Sequence, residues 1–253
     1  MEPKPKLLAT ASCRGQGVQA ESMMLDRLSH LPDEVTHHIL SFLDLTDVIR
    51  VGCVSKRCRE FYLSTQSLKF DLEELSDMNI STCSKRLELM RSLDRFLFHR
   101  RDNKIESCRI NWLLHNFDID NCFCDETFRV MMWIYNAVRC NVEELHLSIC
   151  EYKGKPLWTL SVRFLKHPLL ASLSNLESLI LAHVNVEDEG FFKWISRSCK
   201  SLKLLHLDSC DGMQNMAIES SSLETLIFVH PGLRIGCEIN ISISGEKLGY
   251  LQL

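Results

Sequence analysis

Five stretches of the chain share one apolar frame. Starting at Val142, Leu176, Leu202, Leu223 and Leu248, an apolar residue is followed by others three and five positions on, giving VEELHL, LESLIL, LKLLHL, LETLIF and LGYLQL; a weaker copy, IESCRI, starts at Ile105. The last two apolar positions are i and i+2, so in an extended segment they point to one side of a short strand. The first enters the same side from the preceding turn. One such unit cannot cover its own apolar side, so units must stack strand beside strand around a common core. Steps of 34, 26, 21 and 25 residues separate the five frames. Irregular steps put insertions in the connections and leave the strands intact.

This is the frame of a leucine-rich repeat. Between frames, Phe128, Met131, Met132, Tyr135 and Val138 form one helical stripe and Phe191, Trp194, Ile195 and Cys199 another, which predicts outer helices. Met216-x-Ile218 and Ile239-x-Ile241-x-Ile243 alternate with period two, which predicts strands in the same role near the C-terminus. The third, fifth and seventh frame positions point away from the core: Arg109, Glu144, His146, Ser178, Ile180, Leu204, His206, Asp208, Thr225, Ile227, Tyr250 and Gln252. They would line the concave side of a repeat stack, its usual binding surface. His146, Ile180, Leu204, His206, Asp208, Thr225, Ile227 and Tyr250 are the candidate target contacts, with Ile180, Leu204 and Ile227 forming an apolar patch among them. The frame at Leu248 stops at its sixth position, Leu253, without a polar cap, so the repeats read as incomplete there or as covered by a partner.

Upstream the pattern is different. Residues 1–24 are rich in Pro, Lys, Gly, Ser and Gln with no apolar period, and read as a disordered tail. Next comes LDRLSHLPDEVTHHILSFLDLTDVIRVGCVSKRCREFY, which holds three short helical patterns. Pro32 suits a first helical turn with Asp33 and Glu34 beside it, and Val35, Ile39, Phe42 and Leu43 share one face of a helix expected to end near Leu43. Asp44 or Thr46 can cap a second helix carrying Val48, Ile49 and Val51, and Ser55 a third carrying Cys58 and Phe61. A unit this small needs another surface to cover its apolar residues.

Leu31-Pro32-Asp33-Glu34, Ile39-Leu40-x-Phe42-Leu43 and Val51-x-Cys53-Val54-Ser55-Lys56-Arg57-x-Arg59 resemble an F-box in order and spacing. SLKFDLEE, the helical RLELMRSLDRFLFHRR, IESCRI and AVRCNVEELHL then follow in the order of plant F-box/leucine-rich-repeat proteins, including their FBD-like members. One position departs: the family commonly has Trp where this chain has Cys58. The fold expected is α/β, a three-helix F-box followed by an irregular leucine-rich-repeat solenoid with strands on the concave side and helices or strands outside. The boundaries read as F-box 25–65, linker with a docking helix 66–104, and repeats 105–253.

The resemblance implies a substrate-recognition subunit of a Skp-cullin-F-box ubiquitin ligase. Its partners would be a Skp-type adaptor, a cullin through it, and a target protein held by the repeats. Leu31, Pro32, Val35, Ile39, Leu40, Leu43, Val48, Val51 and Val54 are assigned to the helical core or the adaptor face, undivided between them. The alternative is a repeat-binding protein whose F-box is degenerate and recruits no ligase, a reading kept open by Cys58. Some plant relatives act as small-molecule receptors; Arg109 alone stands out as basic among the outward positions, so no cofactor is expected.

Composition narrows the rest. A net charge of -4, from 29 Lys+Arg against 33 Asp+Glu, gives no reason to expect nucleic acid or an anionic membrane as the main partner. The opening lacks the apolar run of a secretory signal and no stretch is long enough to span a bilayer, which points to nucleus or cytoplasm. The 12 cysteines are scattered and read as reduced thiols. Cys150 and Cys210 fall at the ninth frame position and Cys140 and Cys199 end the outer helices, so all four are expected to be buried. Cys122-x-Cys124 has the wrong spacing for zinc, and no phosphate loop, zinc helix or Cys-His motif is present, so neither metal nor catalysis is expected.

Overall fold

The computed structural model describes residues 28–72, 83–100, 102–114, 125–151, 158–159, 173–186, 190–213, 215–229 and 240–253. The expected tail, the Cys122-x-Cys124 pair and Ile239 lie outside them.

Three short helices open the described chain after a single 3-10 turn: α1 (Asp33–Ser41), α2 (Leu45–Val51) and α3 (Lys56–Ser64). Their starts follow local chemistry. Asp33 and Glu34 occupy the first turn of α1, where the helix dipole favours negative charge. Asp44 caps α2, its Oδ1 accepting from the Asp47 amide at 2.8 Å, and Ser55 Oγ accepts from the Cys58 amide at 3.1 Å to cap α3. Thr46 donates to Asp44 at 2.5 Å, supporting the cap from outside it.

Strand β1 (Ser67–Asp71) follows α3 almost at once, then helix α4 (Cys83–Arg100). The stretch read from sequence as a linker with a helix therefore also supplies a strand. β1 is the first member of a seven-stranded sheet continued by β2 (Ser107–Leu114), β3 (Glu144–Glu151), β5 (Ser178–Ala182), β7 (Leu204–Asp208), β9 (Thr225–Val229) and β11 (Tyr250–Gln252). Every pairing is parallel and joins strands in chain order. Two small parallel pairs accompany it: β4 (Trp158–Thr159) with β6 (Val184–Asn185), and β8 (Asn215–Glu219) with β10 (Asn240–Ser244). The period-two stretches at Met216 and Ile241 are thus strands, as their alternation requires.

Register aligns the frames. Leu68, Cys108, Leu145, Leu179, Leu205 and Leu226 form one cross-strand row, and Phe70, Ile110, Leu147, Leu181, Leu207 and Phe228 the next; all are buried. Helices α5 (Glu126–Arg139) and α6 (Gly190–Ser198) contribute to this core. On α5 the buried face is Val130, Trp133, Ile134, Ala137 and Val138, not the stripe expected from sequence. Of that stripe only Val138 is buried, while Phe128 and Met132 are exposed in a cleft beside α4. The aromatic packing decides the face: Trp133 stacks on Phe70 at 5.2 Å and meets Trp112 edge-on at 4.9 Å. On α6 the expected Phe191, Ile195 and Cys199 are buried with Phe192, and Trp194 is half-buried.

One buried core runs from the N-terminal helices to β9, with Ile241, Ile243 and Leu248 packed partly against it. Leu40, Leu45, Val48 and Phe61 of the three N-terminal helices belong to the same buried cluster as Phe70, Leu93, Phe96 and the strand rows. Lys69 Nζ also donates to the Ser41 carbonyl at the end of α1, at 2.8 Å.

Candidate functional site: an exposed helical face and an open sheet face

The nine positions assigned to the helical module separate by depth. Leu40 and Val48 are buried and serve the core; Leu31, Leu43 and Val51 are half-buried. Pro32, Val35, Ile39 and Val54 are exposed, and so is Phe42 at 71%. Val35, Ile39 and Phe42 recur at i, i+4 and i+7, so the apolar stripe read from sequence is the outward face of α1. The inward face is carried by Thr36 and Leu40, with Thr36 Oγ1 donating to the Pro32 carbonyl at 3.2 Å. Val54 lies in the turn before α3 and is 54% exposed. Cys58 faces inward and is 1% exposed.

The second surface is the side of the sheet away from the core. Register puts its residues into three rows: Ser67, Ser107, Glu144, Ser178, Leu204, Thr225 and Tyr250; Lys69, Arg109, His146, Ile180, His206, Ile227 and Gln252; and Asp71, Asn111, Ser148, Ala182, Asp208 and Val229. All twelve outward positions expected from sequence fall in these rows. The middle row alternates imidazole and aliphatic side chains, with His146, Ile180, His206 and Ile227 on neighbouring strands. His146 Nδ1 and His206 Nε2 are buried without a hydrogen-bond partner. Burial, reinforced by the charges of Arg109 and His206, lowers the pKa of His146 below its ordinary value, so its ring is neutral near pH 7.

Sequence reasoning missed the contribution of β1. Leu68 and Phe70 occupy the frame positions that Cys108 and Ile110 hold in β2, but the frame's first position is Thr65 where β2 has Ile105. Thr65 is nonetheless 1% exposed, and its carbonyl accepts from Arg100 Nη1 at 2.6 Å. A polar residue at one apolar position hid the repeat. The recoverable signal was the i, i+2 pair Leu68 and Phe70 followed by outward Asp71, whose carboxylate accepts from Asn111 at 3.1 Å.

The thiols support a structural role. Cys199 and Cys210 are buried as expected, but Cys140 and Cys150 are only partly so. Cys140 follows the end of α5, and Cys150 lies near the end of β3, beyond the segment paired with β5; both sit at the edge of the packed layer. Cys210 Sγ contacts the Leu181 and Asp208 carbonyls at 3.4 Å each, anchoring the turn after β7. Burial pushes Cys108 and Cys199 up to about 12 and Cys210 to about 11, the opposite of what a nucleophile needs. Among the described residues, no group of three His, Cys, Asp or Glu side chains is placed to hold a metal, and no helix is long and apolar enough to cross a membrane.

Comparison with known proteins bears on both faces. Residues 28–69, the three helices and most of β1, match the F-box-like family. An F-box/LRR-repeat protein of Arabidopsis thaliana (LRR, leucine-rich repeat) is 28% identical over 221 residues, covering 79% of this chain and 40% of the relative. F-box/LRR-repeat protein 25 of the same plant is 27% identical over 210 residues, 78% of this chain and 72% of the relative. An F-box/FBD/LRR-repeat protein of that plant is 30% identical over 218 residues, 79% of this chain and 48% of the relative. The chain thus spans less than half the length of two of these three relatives. No solved structure matches it. Most of the chain is similar to plant F-box/LRR-repeat proteins, as its motifs indicate.

Proposed function

We propose that this protein is the substrate-recognition subunit of a Skp-cullin-F-box ubiquitin ligase, its N-terminal helices docking on a Skp-type adaptor and its sheet face holding a target protein. On this reading the parallel ladder is the strand side of a leucine-rich-repeat solenoid. The observation that carries it is the division of the F-box-like helices: Leu40, Val48 and Phe61 lock them to the core, while Val35, Ile39, Phe42 and Val54 are left outside it. Each such side chain buried on docking gains roughly 1.5–3 kcal/mol in gross transfer, part of which association costs offset.

The protein would perform no bond chemistry. By holding a target near a ubiquitin-charged conjugating enzyme it raises the effective concentration of the target's lysines. The target contacts would be His146, Ile180, Leu204, His206, Asp208, Thr225, Ile227 and Tyr250, all on the open sheet face.

Cys58 raises the competing possibility of a binding protein with a degenerate F-box. Its burial counts against that: a thiol inside the module alters internal packing and leaves the outward Val35, Ile39 and Phe42 in place. Co-purification with a Skp-type adaptor tests the choice. Wild type is expected to be captured stoichiometrically, and a Val35→Glu, Ile39→Glu variant with unchanged circular dichroism is expected not to be. Full capture of the variant, or none of folded wild type, refutes the docking assignment.

A further inference from the structure

Three surface clefts outside the two faces differ in charge. The cleft between α4 and α5 is lined by Asp94, Asp102 and Asp125 against Arg129 and Arg139, and its arginines pair with Asp94 and Asp102. The cleft between α6, β8 and β10 sets Lys193, Arg197 and Lys200 against Glu219 and Glu246, and Lys200 donates to the Ser196 carbonyl at 2.6 Å. The third lies where the F-box-like helices meet α4. It has a volume of about 630 Å³ and is lined by Lys56, Arg59, Arg95 and His99 with no carboxylate among its lining residues.

Helical spacing builds this third cleft. Lys56, Arg59 and Tyr62 fall at i, i+3 and i+6 on α3, and Ser92, Arg95 and His99 at i, i+3 and i+7 on α4, so each helix presents one basic face to the other. Several other cations of the described chain are paired with carboxylates, as in Arg50–Asp47, Arg57–Asp33, Arg86–Glu126 and Lys203–Glu177. Lys56, Arg59 and Arg95 have no acidic partner within ion-pair distance among the described residues. Tyr62 forms the wall between them, its ring 4.9 Å from Phe96, and Arg59 and Arg95 both act electrostatically on its hydroxyl. Gly52 permits this packing: a Cβ there would lie 2.7 Å from Tyr62 Cγ, so any larger residue would drive the ring out of its place.

Three positive charges that line one cleft with no carboxylate among its lining residues repel. A fold that keeps them at a half-enclosed site is relieved by a ligand of opposite charge. Guanidinium groups paired with a phenol and a histidine are the donors that planar, multidentate recognition of phosphate oxygens uses. The volume lies in the range of small-molecule sites and far exceeds the needs of a single ion.

We propose that this cleft binds a small molecule bearing two or more phosphate groups, with Arg59 and Arg95 as its principal contacts. Bound there, the ligand would bridge α3 and α4 and so tie the F-box-like helices to the rest of the chain. The proposal is independent of the ligase assignment.

Calorimetric titration of the full chain with inorganic pyrophosphate, at ionic strength matched with sodium chloride, tests it. Expected are saturable binding that weakens with added salt, and about a tenfold or greater loss for Arg59→Gln and for Arg95→Gln, with Arg197→Gln in the other basic cleft unchanged. Circular dichroism checks that the exposed-residue variants stay folded. Absence of binding at millimolar pyrophosphate, or equal weakening by Arg197→Gln, overturns the site. Orthophosphate binding as tightly as pyrophosphate refutes the requirement for a second phosphate. A phosphoserine peptide binding more tightly than pyrophosphate refutes the small-molecule assignment in favour of a phosphorylated protein segment.

Discussion

Glu126→Ala should be among the most damaging single changes in this protein, although it lies on neither proposed binding face. Glu126 opens α5 and accepts from Arg86 of α4 through both carboxylate oxygens, at 2.5 Å from Nε and 2.7 Å from Nη2. Trp112 Nε1 stands 3.4 Å from the same carboxylate, and Arg86 Nη2 donates to the Leu113 carbonyl at 2.6 Å. Both charged side chains are only 5% exposed. Removing the carboxylate leaves a buried guanidinium with one carbonyl and the face of Trp112, 5.7 Å away, to compensate it. A buried pair broken in this way costs about 3–5 kcal/mol, whereas replacing both partners with apolar residues of similar volume is near neutral or stabilising. Arg86→Met with Glu126→Leu should therefore recover most of what Glu126→Ala loses. Urea unfolding followed by tryptophan fluorescence measures both, since buried Trp112 lies against the pair and buried Trp133 against Trp112. A loss below about 1 kcal/mol for Glu126→Ala, the range of an exposed pair, would refute the argument. So would a double variant as unstable as the single one.

Leu40→Ala is expected to destabilise by about 2–5 kcal/mol and Val35→Ala by no more than about 0.5 kcal/mol, because the first is fully buried and the second exposed; chemical denaturation compares them. Native alkylation read by mass spectrometry should label exposed Cys53 and spare Cys108, Cys199 and Cys210 until denaturant is added. The same three thiols have folded pKa values raised from 9.0 to about 11 to 12, so the neutral form is the folded one. Their contribution to stability is then complete below pH 9.0 and is lost as pH rises from there towards 12, visible as a falling urea midpoint that Cys199→Ala makes shallower. His146 should titrate below 6.5, and its stabilising share, present above that value, disappears as pH falls through the depressed folded pKa; NMR of the ring protons checks this, and Arg109→Gln should move the value upward.

The sheet was largely legible because its signal is local. An i, i+2 apolar pair with a third apolar residue before it fixes both the inward and the outward side of each strand. The register then follows from aligning the frames, so the rows through Leu145 and Leu147 and through His146 are implicit in the sequence. The caps at Asp44 and Ser55 were legible for the same reason, being contacts across three residues. What failed was the choice between two apolar faces on one helix. On α1 the longer stripe, Val35, Ile39 and Phe42, proved outward, and the inward side rests on Thr36 and Leu40. On α5 the core took Trp133 and its neighbours because Phe70 and Trp112 lie opposite, a fact of packing that spacing on the helix does not contain. The basic cleft was invisible to the sequence for a related reason. Lys56 and Arg59 are separated from Arg95 and His99 by the whole of β1, so no local spacing joins them.

How the two proposed faces would work together depends on the joint between them. A subunit that acts by proximity gains most when the spacing between its sites is fixed, because effective concentration falls as the link between them lengthens and loosens. Here α3 runs into β1 across only Thr65 and Gln66, and both ends of that junction are held. Phe61 lies in the shared core, Thr65 is buried, and Arg100, itself 1% exposed, spends its guanidinium on the carbonyls of Thr65, Asn103 and Lys104. Asn103 Nδ2 adds a bond of 2.9 Å to the Leu63 carbonyl near the end of α3. Arg100 has no acidic partner among the described residues; backbone carbonyls and the ring of Phe96, 5.9 Å from its guanidinium carbon, compensate it, and burial lowers its pKa. Keeping a costly buried cation for this purpose makes sense where carbonyls from the junction between α3 and β1 and from the segment after α4 must converge, since one planar group can satisfy them together. The junction is thus built as a clamp, and it supports a function in which the helical face and the sheet face keep one relative orientation.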